Sequence, residues 1–272
     1  MTVSDSAIAL AATLHDPPGA LLGDIERWLP KLAHLYPRIA VASSPPTHAR
    51  VRALLAAHGV DAGSPASNTR GPLYRLALRR ALVGGAPRVH YLDFDRALHW
   101  IARRPAELTA VLARARRHPA LLVGRTPRAY ASHHQALVVT EAAVAELFAA
   151  RLGLPKRIDF LVPSFVLTRP AVERLLARSR ARGSTIYGEW VALLVALGDQ
   201  LSYVECDGLD WETPDRYRNE VRRVGLAAWR RAMSTPAEWS MRRTMAKEFV
   251  RGFDRTLRQH PSAGLIALRR LS

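Results

Sequence analysis

Cysteine is almost missing from this chain of 272 residues: Cys206 is the only one, which excludes an internal disulfide. Lysine is nearly as scarce. Lys31, Lys156 and Lys247 supply three of the forty basic residues, and arginine supplies the rest. No apolar run reaches about 18 residues, so no transmembrane helix is expected. No charged–apolar–small leader opens the chain, and a cytoplasmic protein is the expectation. Internal repeats and low-complexity linkers are also missing.

What is present suffices for a large core, since 49% of residues are hydrophobic. The formal charge is +17, a surface that attracts phosphorylated small molecules, anionic membrane or nucleic acid. From Trp211 onward fourteen basic residues face six acids. There Arg222, Arg223, Arg230, Arg231, Arg242, Arg243, Arg251 and Arg255 recur among Trp229, Trp239 and Phe249. Such a face could meet an anionic membrane; no recognised nucleic-acid motif accompanies it, so no specific nucleic acid is expected. The plainer reading makes the aromatics packing residues and the arginines a solvated face.

Strand and helix signals alternate over the first 125 residues. Ser6 to Leu14 is an apolar run of strand length that ends in the turn cluster His15-Asp16-Pro17-Pro18-Gly19. Leu21 to Leu35 carries apolar residues at helical spacing. Arg38 to Ala42 reads as a second strand, with a helix capped near Ser43-Ser44-Pro45-Pro46-Thr47 running to about His58. A loop over Asp61 to Gly71 precedes a helix from Pro72 to Val83, and Pro105 to Arg117 reads as another helix. Ala120 to Gly124 is a further strand. Strands alternating with helices of this length predict a largely parallel sheet with helices on its faces.

The middle of the chain is less regular. Gln135 to Val139 is expected as a strand, Glu141 to Leu152 as a helix, and Phe160 to Thr168 as a strand broken by Pro163. A helix follows to about Arg180, then an apolar helix over Val191 to Leu197 and a last strand, Leu201 to Cys206. Beyond Thr213 the pattern is almost all helix. The expected organisation is a core over 1–210 and a basic helical extension over 211–272 packed on it.

The most informative segment is Arg88 to Asp95. Gly84-Gly85-Ala86-Pro87 stops a helix, Val89 and Leu92 suit a buried strand, and Asp93 and Asp95 follow at its carboxyl end, separated by Phe94. Open α/β sheets bind ligands outside those strand ends. Carboxylates there suit a hard divalent ion, because Mg²⁺ takes one or two carboxylates plus substrate phosphates. The alternative is that Asp95 caps the next helix and Asp93 is an exposed loop acid.

This order of elements, ending in the Asp-x-Asp of Tyr91-Leu92-Asp93-Phe94-Asp95, resembles the GT-A glycosyltransferases of the nucleotide-diphospho-sugar transferase superfamily. The resemblance spans residues 6 to 210. It implies a Rossmann-like α/β/α three-layer fold with a mostly parallel mixed sheet. It also implies a nucleotide-diphosphate sugar as donor, an acceptor that the sequence does not name, and Mn²⁺ or Mg²⁺ held by Asp93 and Asp95, with His134 completing the shell. His15, Asp16 and Ser43 would lie by the base or ribose, and Arg70, Arg75 and Arg125 by the phosphates. Glu189, in Tyr187-Gly188-Glu189-Trp190, would be the acid on the acceptor side, or would only position the acceptor if the anomeric configuration is retained. Arg96 could pair with either carboxylate. The rivals are a descendant of this fold without activity, a binder of anionic surfaces, and a sugar-phosphate nucleotidyltransferase. The last usually carries a basic Gly-rich loop after the first strand; Leu14 to Gly19 has neither a lysine nor a glycine cluster.

Overall fold

A computed structural model describes residues 7–154, 158–197 and 200–260 and the backbone of 269–270. Ser6 and most of the residues after His260, expected as strand start and helix, lie outside the described residues. The chain divides into two compact units. One comprises the residues up to Leu122 with Pro163–Arg178, the other Val123–Val162 with the residues from Ser179 onward.

The first unit is built on a mixed sheet. Strands β1 (Ile8–Leu14), β2 (Ile39–Ser43), β3 (Asp61–Gly63) and β4 (Arg88–Asp93) are parallel, in the order β3-β2-β1-β4. Beyond β4 lies β6 (Phe165–Thr168), antiparallel both to β4 and to the first residues of β5 (Ala120–Arg125). This is the mostly parallel mixed sheet that the resemblance implies. Every residue of β1 and β2 is buried, as expected of strands covered on both faces. Helix α1 (Leu22–Leu35) packs on both α2 (Ala49–Ala57) and α4 (Phe94–Arg103), and α4 on α5 (Pro105–Ala115), while α3 (Arg70–Leu82) packs with α8 (Arg169–Arg178).

The turn into β4 has a clear local cause. Gly84 and Gly85 both sit at φ +84°, a region that L side chains avoid, and they stop α3 and reverse the chain. Within β4, His90 enters the core and receives partners there: Tyr36 Oη is 2.7 Å from Nδ1 and Ser164 Oγ is 3.3 Å from Nε2. Tyr91 stacks on Phe165 with ring centroids 5.3 Å apart.

The second unit contains α6 (Pro127–Ser132), α7 (Gln135–Arg151), α9 (Thr185–Val195), α10 (Arg218–Val224), α11 (Leu226–Ala232) and α12 (Pro236–Gln259). Its strands are the end of β5, β7 (Leu201–Cys206) and β8 (Arg269–Arg270), with β8 parallel to β7. The basic residues from Arg218 to Arg258 lie on α10, α11 and α12, and α12 packs on α7 and α9, whereas Arg269–Arg270, expected as helix, is strand. The last helix crosses α9 at glycine: a Cβ on Gly188 would collide with the backbone of Phe249 and Phe253, and one on Gly252 with that of Thr185.

Four other expected elements differ. The expected loop from Asp61 begins as strand β3, paired in parallel with β2. Gln135 to Val139 is the first turn and more of α7, not a strand. Its valines favour a strand locally, but a helix ladder continuing to Arg151 overrides that preference. The strand around Pro163 is confined to Phe165–Thr168, since proline removes a ladder donor. The apolar helix begins earlier than Val191, at Thr185.

Candidate functional site

In the first unit the strand register builds a rim. Thr13 of β1 lies beside Asp93 of β4, and Leu14 beside Ser43 of β2, so three adjacent parallel strands end together. The helix α3 runs back from the carboxyl end of β3 toward β4, which opens its N terminus at the same rim.

Asp93 is the last residue of β4 and the N-cap of α4, yet its side chain makes no capping bond. Its Oδ1 instead accepts a hydrogen bond from Thr13 Oγ1 at 2.7 Å. Arg96 Nε stands 3.8 Å from Oδ2, as a charge neighbour longer than a hydrogen bond. Asp95 lies in the first turn of α4, and its Oδ1 accepts the Arg96 amide at 2.9 Å. Asp95 is therefore not the N-cap. Phe94 between them is fully buried, while both acids keep partial exposure. Only Asp93 is on the strand; the helix begins at once and turns Asp95 through about 100° per residue rather than the strand's alternation.

This donor set fits a hard divalent ion: two partly exposed carboxylates at a strand end, one held in orientation by a neutral hydroxyl. Among the described residues no group of three or more His, Cys, Asp or Glu could cage an ion. An ion here would need oxygen ligands from water or a substrate phosphate as well.

At the ends of β1 and β2 the hydroxyls cluster. Exposed His15 places Nδ1 2.8 Å from Ser44 Oγ, which is 3.0 Å from Thr47 Oγ1. Ser43 Oγ is buried and has no hydrogen-bond partner in the structure. A buried hydroxyl without a partner is costly. Asp16, expected to face a nucleotide, is instead fully buried, and its two oxygens accept the amides of Ala20 and Leu21 at 3.0 Å each. It closes the turn into α1, as an Asx side chain does. Arg70 is the exposed first residue of α3, whose N-cap Thr69 makes no side-chain capping bond, and Arg75 sits partly exposed one turn on. An N terminus of this kind favours anions.

The other three expected site residues belong to the second unit, and each is engaged there. Arg125 is 3% exposed. It donates from Nε to Asp159 Oδ2 at 2.7 Å and from Nη2 to Asp159 Oδ1 at 2.9 Å and Glu141 Oε2 at 2.6 Å. Its guanidinium also lies 4.5 Å from the ring centroid of Tyr130. Burial opposes its charge, but Asp159 and Glu141 more than offset this and hold its pKa above the usual value. The expectation of a phosphate-facing arginine is thus corrected: the planar fork is spent on two buried carboxylates.

His134 is corrected in a similar way. It packs against Trp211 with centroids 5.7 Å apart, with Nε2 3.5 Å from Glu238. Burial first, then the nearby Arg242, pushes its pKa down to about 4. Of its charged neighbours, Arg242 and Arg230 oppose a cation at the ring and Glu238 favours one, and Nδ1 is buried without a hydrogen-bond partner.

Glu189 is 4% exposed and saturated with donors. Ser179 Oγ donates to Oε2 at 2.6 Å, and the amides of Arg180 and Ala181 donate to Oε1 at 2.8 and 2.9 Å. Trp190 Nε1 donates to the same Ser179 hydroxyl at 3.0 Å. Here the carboxylate ties the 179–181 turn to α9.

Residues not singled out in the sequence include Thr13, Asp159, Glu141 and Ser179. Thr13 alone had a local signal, as the one hydroxyl near the end of an apolar strand.

No protein-family model matches the chain, and no curated protein matches it. Among solved structures it is similar to the glucosyl-3-phosphoglycerate synthase of Mycobacterium tuberculosis. The form holding Mn²⁺, UDP and phosphoglyceric acid is 16% identical, with a TM-score of 0.47, over 73% of this chain and 68% of that one. The enzyme crystallised alone gives 16% identity and a TM-score of 0.48, over 73% and 70%. The form holding UDP gives 15% and 0.44, over 82% and 68%.

Proposed function

We propose that this protein is a GT-A-type glycosyltransferase that moves a sugar from a nucleotide-diphosphate donor to a hydroxyl acceptor. The observation that carries the reading is the rim where Asp93, oriented by Thr13, stands at the end of β4 beside the ends of β1 and β2. Asp93 and Asp95 are the residues that would hold Mn²⁺ or Mg²⁺. A divalent ion offsets negative charge on a departing diphosphate. His15 and the Ser43 hydroxyl are proposed to meet the nucleoside, which would give Ser43 Oγ the partner it lacks. Arg70 and the start of α3 are proposed to meet the phosphates. Glu189 enters this reading by fixing the 179–181 turn rather than by touching a reacting hydroxyl.

Arg96 motivates a second reading. Its guanidinium beside Asp93 could supply the positive charge itself, in a protein that binds nucleotide without a metal. Calorimetric titration with UDP and GDP, with and without Mn²⁺, separates the two. The first reading expects binding that requires Mn²⁺ and is lost in Asp93→Asn with Asp95→Asn. Metal-independent binding supports the second, and no binding to either nucleotide defeats both.

A further inference from the structure

The tail presents a feature the proposed reaction does not use. Helices α10 and α11 are joined by Gly225 alone, at φ +79°, so the chain reverses with no linker. Trp229 is buried against Trp211 and Tyr217, with ring centroids 5.1 and 5.5 Å away, and anchors α11. That aromatic cluster leaves the aliphatic residues of the turn outside. Val224 is 41% and Leu226 52% exposed, one on each side of the glycine. From Tyr217 to Ala227 every residue except Val221 is exposed.

Around this apolar tip the charge is mostly positive. Arg218, Arg222 and Arg223 lie on α10, and Arg230 and Arg231 on α11. The acids nearby are Asp215, 3.8 Å from Arg218, and Glu220, whose Oε2 accepts a 3.4 Å hydrogen bond from Trp229 Nε1.

We propose that the α10–α11 turn docks on an anionic lipid bilayer. Val224 and Leu226 enter the boundary between headgroups and acyl chains, and the surrounding arginines meet the lipid phosphates. Two half-exposed aliphatic side chains are a weak anchor alone, and so is a cluster of a few arginines; stable association takes both signals together. The same arginines would attract nucleic acid, but two observations favour lipid. Of the aromatic rings here, Trp211 and Trp229 are buried and Tyr217, 42% exposed, has its ring packed against Trp229, whereas single-strand binders present free stacking faces. Exposed aliphatics at a tight turn gain nothing from a phosphate backbone and gain directly from hydrocarbon. The inference is independent of any donor or metal in the first unit.

Co-sedimentation of the full chain with vesicles tests it, using phosphatidylcholine alone and mixed with phosphatidylglycerol, across a sodium chloride series. The chain is expected to partition onto the anionic vesicles only, less so as salt rises. Arg222→Gln and Arg223→Gln should each lower the partition coefficient about five-fold. Leu226→Ser should lower it about ten-fold at fixed salt. All these positions are exposed, so melting temperatures should not change, and a thermal melt of each variant checks this. Equal partition onto neutral and anionic vesicles would overturn the proposal, as would no partition onto either or a Leu226→Ser variant that binds like the parent. Retention on duplex DNA that exceeds retention on anionic vesicles, with no effect of Leu226→Ser, would assign the surface to nucleic acid instead.

Discussion

Thr13 and Asp93 meet across the β1–β4 boundary, with the Thr13 hydroxyl donating to Asp93 Oδ1 at 2.7 Å. A parallel register that sets these two residues side by side is what aims the carboxylate. The bond occupies one oxygen and leaves Oδ2 beside Arg96.

Thr13→Val keeps the shape of the side chain and removes its donor. Stability should fall by about 1 kcal/mol, the usual net worth of such a bond. The Mn²⁺-dependent UDP binding proposed for this rim should weaken about ten-fold, because a mis-set carboxylate costs roughly 1.4 kcal/mol at the site. Thr13→Ser should restore both. Titration calorimetry on the three proteins checks this; a Thr13→Val protein that binds as well as the parent removes Thr13 from the site.

Arg125→Met should destabilise the chain by about 3–5 kcal/mol, since it strands Asp159 and Glu141 as buried, poorly compensated charges. Arg125→Lys should recover little, because an ammonium cannot reproduce the two-pronged contact with Asp159. Urea unfolding measures the loss. The folded fraction of either variant should bind nucleotide with unchanged affinity, an outcome opposite to that of a phosphate-binding arginine.

Gly188→Ala would ordinarily stabilise a helix by up to about 1 kcal/mol. Here it should destabilise by about 3 kcal/mol, because the added methyl group runs into the α12 backbone at Phe249 and Phe253. Gly252→Ala should behave alike against Thr185. Scanning calorimetry on both variants decides; a raised melting temperature would show that the helices separate easily.

Of the buried histidines, His90 and His134 make the fold sensitive to acid. Burial lowers the pKa of His90 to about 3; burial, then Arg242, lowers that of His134 to about 4. The unfolded chain takes up these protons near the ordinary value of about 6.5. Each histidine therefore contributes stability that is intact above that pH and is lost as pH falls toward the folded value, by about 1.4 kcal/mol per unit. His134→Gln should remove its own share of the decline between pH 6.5 and about 4, about 1.4 kcal/mol per unit. Urea unfolding across that pH range gives the slopes.

The acidic strand end was legible because its cues are local. Two glycines stop α3, apolar residues fill β4, and the acids begin where the strand ends. The order of strands and helices in the first unit follows from the same punctuation. Gln135 to Val139 shows where local reading fails: five residues suit strand or helix, and a ladder running to Arg151 decides.

By itself the sequence determined the alternation of elements, the place of Asp93 and Asp95, and the basic, helical character of Arg218 to Gln259. Only the tertiary structure decided what the polar groups do. Arg125 meets Asp159 from 34 residues away, Asp93 meets Thr13 from 80, and Glu189 meets Ser179 from 10. Periodicity and turn chemistry act over one or two turns of chain. A buried charge or hydroxyl must instead find its partner wherever folding brings one within about 3 Å, and neither residue's neighbours in sequence encode that meeting.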